Sequence, residues 1–520
     1  MTFLGLLLAY HPAITIPYFY HDEVWFWQRL PGTYPFEETL YSFSIFLGRF
    51  IGAYILTWAS WSVDSLIDLS TLRFIGLLCL TLTGYLWANW LNKNSFRWVD
   101  SIFITLALLT LPTFQVFAMW VVGLHCNVAV LLATIAAMIT ETISIKKPIL
   151  HRFLSLNSFF SLLFLVSAWA TYQSSATMYW VFSACLILFP HSLDRNEIKG
   201  RLINFFSIGF LSLIIYSILT KILHKVLNLY SYIAYDPLGW SVDWVSKIKW
   251  FFKEPLINAF NFWNIFPADY FALMVFSFIL LTVLFSGFYL QRQKASFAVI
   301  AGGQIKIGAV YVGLIVLSFL PNLLSVRDVA YYRCSGALTS IILLTFFWAL
   351  QQWVDFLSVQ WKKNIFTLVL CVFACYGISE GYKNVFYYRV RPSYLETAYL
   401  EKAVINALNK GVSHIHFIYP KFSNLKNSRF DEFGTLTTNF IQNQKPLLAG
   451  LLKEWANTHN SLLRKYEADK DQNNFYAVFE DKASHQRFSK RLYITHAFEY
   501  SKEIPPEATI IDVRRVLLSL

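Results

Sequence analysis

The stretch Thr71-Leu-Arg-Phe-Ile-Gly-Leu-Leu-Cys-Leu-Thr-Leu-Thr-Gly-Tyr-Leu-Trp-Ala-Asn-Trp-Leu91 carries a single charge, Arg73, close to its start. As a helix rising 1.5 Å per residue it covers about 30 Å, the thickness of the hydrocarbon core of a bilayer. Comparable stretches lie near residues 100–119, 124–143, 153–171, 174–190, 202–224, 268–290, 304–322, 334–355 and 364–380. With residues 1–18 they make about eleven candidate spans. Composition agrees: hydrophobic residues are 56%, charged residues 14%, and mean hydropathy is +0.47. That balance excludes an ordinary soluble globular protein. The first stretch has no basic region before it and no small-residue cleavage site, so it reads as a retained helix.

The net charge of +12 reads as topology, not as a nucleic-acid site, because much of it falls in short loops between apolar spans. Basic clusters at Lys93/Arg97, Lys146/Lys147/Arg152, Arg195/Lys199/Arg201, Arg292/Lys294/Lys306 and Lys362/Lys363 alternate with turns free of Lys and Arg, near 62–70, 122–127 and 171–175. Assigning the basic loops to the cytoplasm closes every hairpin and puts the N-terminus inside. Residues 19–70, 225–267, 323–333 and the C-terminal tail then lie outside. The 225–267 segment breaks the charge pattern with Lys225, Lys247, Lys249 and Lys253, interleaved with Trp240, Trp244, Trp250, Phe251 and Phe252. It reads as an interfacial amphipathic element, or as an ordinary aromatic belt. Residues 41–60 carry Arg49 near their middle and read as a helix lying in the interface; if they span, Asp22 and Glu23 face the cytoplasm.

After about Gly381 the composition turns hydrophilic. Leu400–Lys410 has helical periodicity, while Ser413–Tyr419, Phe475–Phe479, Arg491–Ile494 and Thr509–Val513 read as strands. The expected architecture is an all-α polytopic membrane protein over residues 1–380, followed by a soluble α/β domain over residues 381–520. The acidic loop Arg429–Thr435 in that tail suits contact with a sugar, or is a solvated turn.

The six cysteines lie in or beside apolar stretches without zinc-site spacing, and His125 beside Cys126 is too isolated to hold a metal. No Walker loop, no Rossmann glycine pattern beside a strand and no HExxH motif is present, so neither metal nor cofactor is expected.

Chemistry concentrates on the external side. Asp22 and Glu23 are adjacent carboxylates flanked by Tyr18, Phe19, Tyr20, Trp25, Phe26 and Trp27. At headgroup level they form a partly dehydrated candidate general base, or a solvated acidic turn. Arg29, Arg49, Arg73, Arg327 and Arg333 fall on the same side, and planar guanidinium forks match phosphate oxygens. Tyr172 and Gln173 sit in an external turn, and Gln115 follows Pro112; both suit a cavity lining or interhelical hydrogen bonding.

In their order these features resemble the bacterial membrane glucosyltransferases of the Gtr type II class, which modify O-antigen, within the polyprenyl-phosphate-sugar-dependent multi-spanning glycosyltransferases. The resemblance rests on Tyr18-Phe19-Tyr20-His21-Asp22-Glu23, Gly48-Arg49, Asp68-Leu69-Ser70, Leu111-Pro112-Thr113-Phe114-Gln115, Thr171-Tyr172-Gln173 and Pro321-Asn322-Leu323. It covers most of residues 10–355. Two positions depart from that family: its second acidic residue is usually Asp where Glu23 stands, and its proline after Gly-Arg is Phe50 here. The resemblance implies a large-loop glycosyltransferase fold, a polyprenyl-phosphate-linked hexose donor and a glycan or lipid-linked glycan acceptor outside a bacterial inner membrane. It implies Asp22 or Glu23 as catalytic base and Arg29, Arg49, Asp68, Tyr172, Gln173, Arg327 and Arg333 as substrate-binding residues. A flippase or transporter of lipid-linked sugars, or a glycan polymerase or ligase, is the alternative.

Overall fold

A computed structural model describes residues 1–18, 20, 23, 44–63, 65–94, 96–146, 148, 151–152, 154–189, 195–227, 243–266, 269–292, 308–326, 328, 330–356, 361–410, 412, 414–418, 461–468, 475–481, 490–497 and 508–512. In chain order the helices are α1 (Thr2–Thr15), α2 (Phe50–Trp61), α3 (Leu66–Asn94), α4 (Trp98–Leu109), α5 (Pro112–Met119), α6 (Gly123–Glu141), α7 (Leu156–Thr171), α8 (Tyr179–Leu188), α9 (Arg195–Val226), α10 (Trp244–Lys253), α11 (Pro255–Ala259), α12 (Asp269–Arg292), α13 (Gly308–Leu317), α14 (Gly336–Phe356), α15 (Lys362–Val385) and α16 (Arg391–Asn409). The protein is an α-helical membrane protein. Among the described residues five helices are long and apolar enough to cross a bilayer, and six if one bent pair counts as a single span.

The bent pair corrects the straight span expected over 100–119. Leu111 precedes a proline, which drives it out of the helical region to ψ 154°, and Pro112 then starts α5 afresh. The axes of α4 and α5 meet at 69°. The expected span over 174–190 is likewise interrupted, as a one-turn helix at Gln173–Ala176 followed by the ten-residue α8. Nearly every residue of α8 is buried, as befits a helix that is apolar all round. Its Phe182 ring lies 4.2 Å from Trp87 and 4.8 Å from Trp90 of α3, so aromatic packing fills the core between them.

The twelve-residue α2 rises about 18 Å, too short to cross the hydrocarbon core. It begins directly after Arg49 and packs against α6 and α7. α10 carries the amphipathic pattern expected within 225–267: Trp244, Val245, Ile248 and Phe252 are exposed on one side, while Lys247 and Phe251 are buried. Asp243 caps it by accepting a hydrogen bond from the Ser246 amide at 3.0 Å. Trp240 lies outside the described residues.

α15, a π-helical turn at Phe386–Val390 and α16 form one continuous 48-residue helix. Beyond it come β1 (His414–Ile418), β2 (Ser461–Ala468), β3 (Phe475–Asp481), β4 (Lys490–Ala497) and β5 (Thr509–Asp512), in the sheet order β2-β3-β4-β1-β5. β1 pairs in parallel with β4 and β5, and β2-β3 and β3-β4 are antiparallel. Four of these strands fall where alternation predicts them. β2 was not expected, because Ser461-Leu-Leu-Arg-Lys-Tyr-Glu-Ala468 does not alternate cleanly. The acidic loop Arg429–Thr435 lies outside the described residues.

Candidate functional site

The Lys- and Arg-free turns expected on one side of the membrane do gather at one end of the bundle. There the start of α6, the end of α7 and the start of α3 meet the segments around Tyr20, Arg49 and Arg333.

The first cluster is built on Glu23. Its side chain is wholly buried and forms an ion pair with Arg73 of α3, itself buried. One carboxylate oxygen also accepts from the Tyr20 amide at 2.8 Å, and the other accepts from the Val121 amide. Arg73 in turn donates to the Tyr18 carbonyl at 2.9 Å and lies 3.9 Å above the Tyr18 ring. On the other side Arg389, in the π-helical turn, lies 4.0 Å from the Tyr20 ring centroid. Burial raises the Glu23 carboxyl above its ordinary value, against the opposing pull of Arg73 and the two backbone amides.

This geometry corrects the expectation that Glu23 serves as a catalytic base. It has no exposed surface and both its oxygens are engaged, so in this structure it presents no free carboxylate to a substrate hydroxyl. It anchors the Tyr18–Glu23 segment to α3 and to the α5–α6 turn. Asp22, the other expected base, lies outside the described residues, as do Arg29 and Arg327.

The second cluster joins three of the expected binding residues. Gly48 holds the left-handed conformation, φ 76°, that turns the chain into α2. A Cβ there would stand 2.2 Å from the Tyr216 hydroxyl and 3.3 Å from the Gln173 amide, so glycine is required for space as well as conformation. Arg49 follows, donates to Gln173 Oε1 at 3.2 Å and lies 4.6 Å from the Tyr172 ring centroid. The Gln173 amide donates to the Leu47 carbonyl and to Tyr216, each at 2.7 Å. The His125 ring meets Tyr172 edge-on at 5.1 Å, and the Tyr172 hydroxyl contacts the Cys334 thiol at 3.7 Å.

Arg333 completes the group. Its guanidinium lies 4.5 Å from the Tyr331 ring and 5.4 Å from the Trp120 ring. Arg49 lies on the Tyr172 ring, and Arg333 is the chain neighbour of Cys334, whose thiol meets the Tyr172 hydroxyl, so Tyr172 links the two cations. Both are half-buried. Trp120 stacks obliquely on Tyr20 at 5.5 Å and ties this group to the Glu23 cluster. Two half-buried guanidiniums held against aromatic rings are pre-organised for an anion of phosphate type.

Asp68 belongs to the start of α3. It is the N3 partner of a capping box: its carboxylate accepts from the Ser65 amide at 2.7 Å and the Ser65 hydroxyl at 2.9 Å. That places it at the α3 start as a helix cap. Sequence reasoning missed Tyr216, Trp120 and Arg389. Tyr216 is one polar hydroxyl within the apolar α9, and nothing local marks it. Among the described residues no group of His, Cys, Asp and Glu could hold a metal.

No protein-family model, no curated protein and no solved structure matches this chain.

Proposed function

We propose that the protein is an integral-membrane glycosyltransferase that moves a hexose, glucose in the simplest case, from a polyprenyl-phosphate-linked donor to a cell-surface or lipid-linked glycan such as O-antigen. The observation that supports this reading most is the cluster in which Arg49 lies on Tyr172, Tyr172 meets Cys334 and the adjacent Arg333 lies near Trp120. In this reading Arg49 and Arg333, with Arg327 and Arg29, hold the departing polyprenyl phosphate. Asp22 takes the proton from the acceptor hydroxyl as it attacks the sugar C1. Stabilising the phosphate charge is the larger contribution, with base catalysis adding about 10²–10⁴-fold. Glu23 and Arg73 serve this chemistry indirectly, by fixing the segment that presents Asp22.

The same reading takes eleven crossings: the five long helices, the bent α4–α5 pair, the shorter α1, α7, α12 and α13, and the buried α8. The N-terminus then faces the cytoplasm of a bacterial inner membrane, and the sheet-containing region after residue 381 forms an external α/β domain.

One observation favours a second reading, a carrier of lipid-linked sugars. The 69° break at Pro112 is the kind of discontinuous helix that lines transport sites. The decisive experiment follows labelled hexose from polyprenyl-phosphate-hexose into endogenous glycan, in membranes carrying wild type or Asp22→Asn. Transfer by wild type, lost in the variant at equal expression, supports the enzyme. Labelled lipid that crosses the bilayer unconsumed by wild type overturns it in favour of the carrier.

A further inference from the structure

The helix α10 presents three kinds of surface around one axis. Successive residues of a helix turn by about 100°, so Trp244, Ile248, Phe252 and Val245 share an arc of about 100°, and all four are exposed. Trp250, Lys247 and Phe251 share a second arc, and Lys247 and Phe251 are buried. Lys249 and Lys253, both exposed, stand along one edge of the apolar arc.

The second arc is occupied within the chain. Lys247 Nζ pairs with Asp328 at 2.6 Å and lies 4.6 Å from the Trp250 ring centroid. Trp250 and Phe251 meet the Phe319 ring at 6.0 and 5.8 Å. These contacts fix the rotation of α10 about its axis, so its apolar arc faces away from the protein. With ten residues the helix rises about 15 Å, half the hydrocarbon thickness, and cannot cross a bilayer. The chain runs on through α11 into α12, an apolar helix that exposes Leu273, Met274 and Leu281 as a helix in contact with lipid does. The outward arc is therefore continuous along the chain with a surface of the same kind.

We propose that α10 docks in the plane of the bilayer surface, with its apolar arc among the upper acyl chains and Lys249 and Lys253 on the phosphates of acidic phospholipids. A short helix with a wide apolar face, aromatic residues within it and lysines at its edge matches the boundary between headgroup and acyl chain. Lysine stems are long enough to carry the ammonium up to the phosphates while the apolar arc lies deeper. Their charge complements that of an acidic lipid surface. The docking goes beyond the reaction proposed above and does not depend on it. Through the Lys247–Asp328 pair it places the segment that leads to Arg333 beside the headgroups.

The test uses the full chain in nanodiscs of equal parts phosphatidylcholine and phosphatidylglycerol. A photoreactive benzophenone residue replaces Val245, Ile248 or Phe252 in turn, or Ser246 on the polar side, and the adducts are identified by mass spectrometry. The expected result is lipid adducts at 245, 248 and 252 and few at 246, with phosphatidylglycerol favoured over phosphatidylcholine by about fivefold. Lys249→Gln combined with Lys253→Gln should bring that ratio to about one. Should the double variant fail to fold, the same ratio is read with the lysines intact at high salt, which screens exposed charges and should lower it likewise. Adducts at 248 and 252 to a second copy of the chain, or to another segment of the same one, give the face to protein and overturn the proposal. Equal lipid labelling at 246 and 252 overturns the in-plane orientation. A lipid ratio that ignores both the lysines and salt overturns the assignment to acidic headgroups.

Discussion

At the Glu141 end of α6, charge is handled by partners of opposite sign. Glu141 pairs with Arg201 and accepts from Trp90, while Arg97 pairs with Asp100 at 3.0 Å and reaches Thr367 and the Lys363 carbonyl. At the Gly123 end, about 28 Å away along the same helix, the arginines also lie on rings: Arg49 on Tyr172, Arg73, which pairs with Glu23, on Tyr18, Arg333 on Trp120 and Tyr331, Arg389 on Tyr20. Ion pairs neutralise both partners and fasten helices together. An aromatic face orients a guanidinium yet leaves its charge available. The first end is fastened by pairs of opposite charge, and the second adds aromatic faces to its arginines, which the proposed function reads as a site for an anion.

The sharpest way to break this contrast is Arg73→Ala, because the ion pair of Arg73 with Glu23 is wholly buried. Removing one member of a buried pair leaves the other without compensation, so stability should fall by about 3–5 kcal/mol, read from unfolding in detergent. A loss no larger than that of a surface variant would put the Glu23 cluster with the ordinary fastenings. Arg49→Ala and Arg333→Ala should instead leave unfolding nearly unchanged and lower hexose transfer by about 10²-fold each, as expected for groups that stabilise developing charge. Equal loss of folding and activity in both would erase the distinction between the ends.

A smaller effect is expected in the sheet. Burial, with repulsion from His414 added, holds His416 below its ordinary value of 6.5. The unfolded chain therefore binds the proton first, so stability is complete above about pH 6.5 and declines as pH falls below it. Amide protection factors over residues 414–418 should drop between about pH 7.5 and pH 5.5, and His416→Asn should flatten that dependence. The least effect belongs to Arg97→Ala at the Glu141 end, within about 1 kcal/mol by unfolding, because that guanidinium is largely open to solvent.

Much of this arrangement was legible in the sequence, and the parts that were not have physical causes. Hydropathy placed the helical segments, since an apolar run in lipid has few other options. It could not foresee that Pro112 bends one of them by 69° or that residues 174–190 are interrupted, because packing decides whether a break is straightened. Arg49, Tyr172 and Gln173, each singled out in the sequence, do come together in the fold, and Arg333 follows in the chain from Tyr332 beside Cys334, which touches Tyr172. The role of Glu23 was not readable. Two adjacent carboxylates look alike in sequence, and only the fold reveals that Arg73, fifty positions on, claims the second. The cap at Asp68 was readable and passed over, since Ser65-Leu-Ile-Asp68 is itself a capping-box sequence.

The continuous helix from Lys362 to Asn409 has a mechanical consequence. At 1.5 Å per residue its 48 residues span about 72 Å, far more than a bilayer needs, and α16 alone contributes about 29 Å beyond the π-helical turn. That turn holds Arg389 against Tyr20, three positions from the ion-paired Glu23. Geometry alone ties the two ends of α16 together: a change of about 5° at the π-helical turn would carry its far end, next to β1, by roughly 2.5 Å.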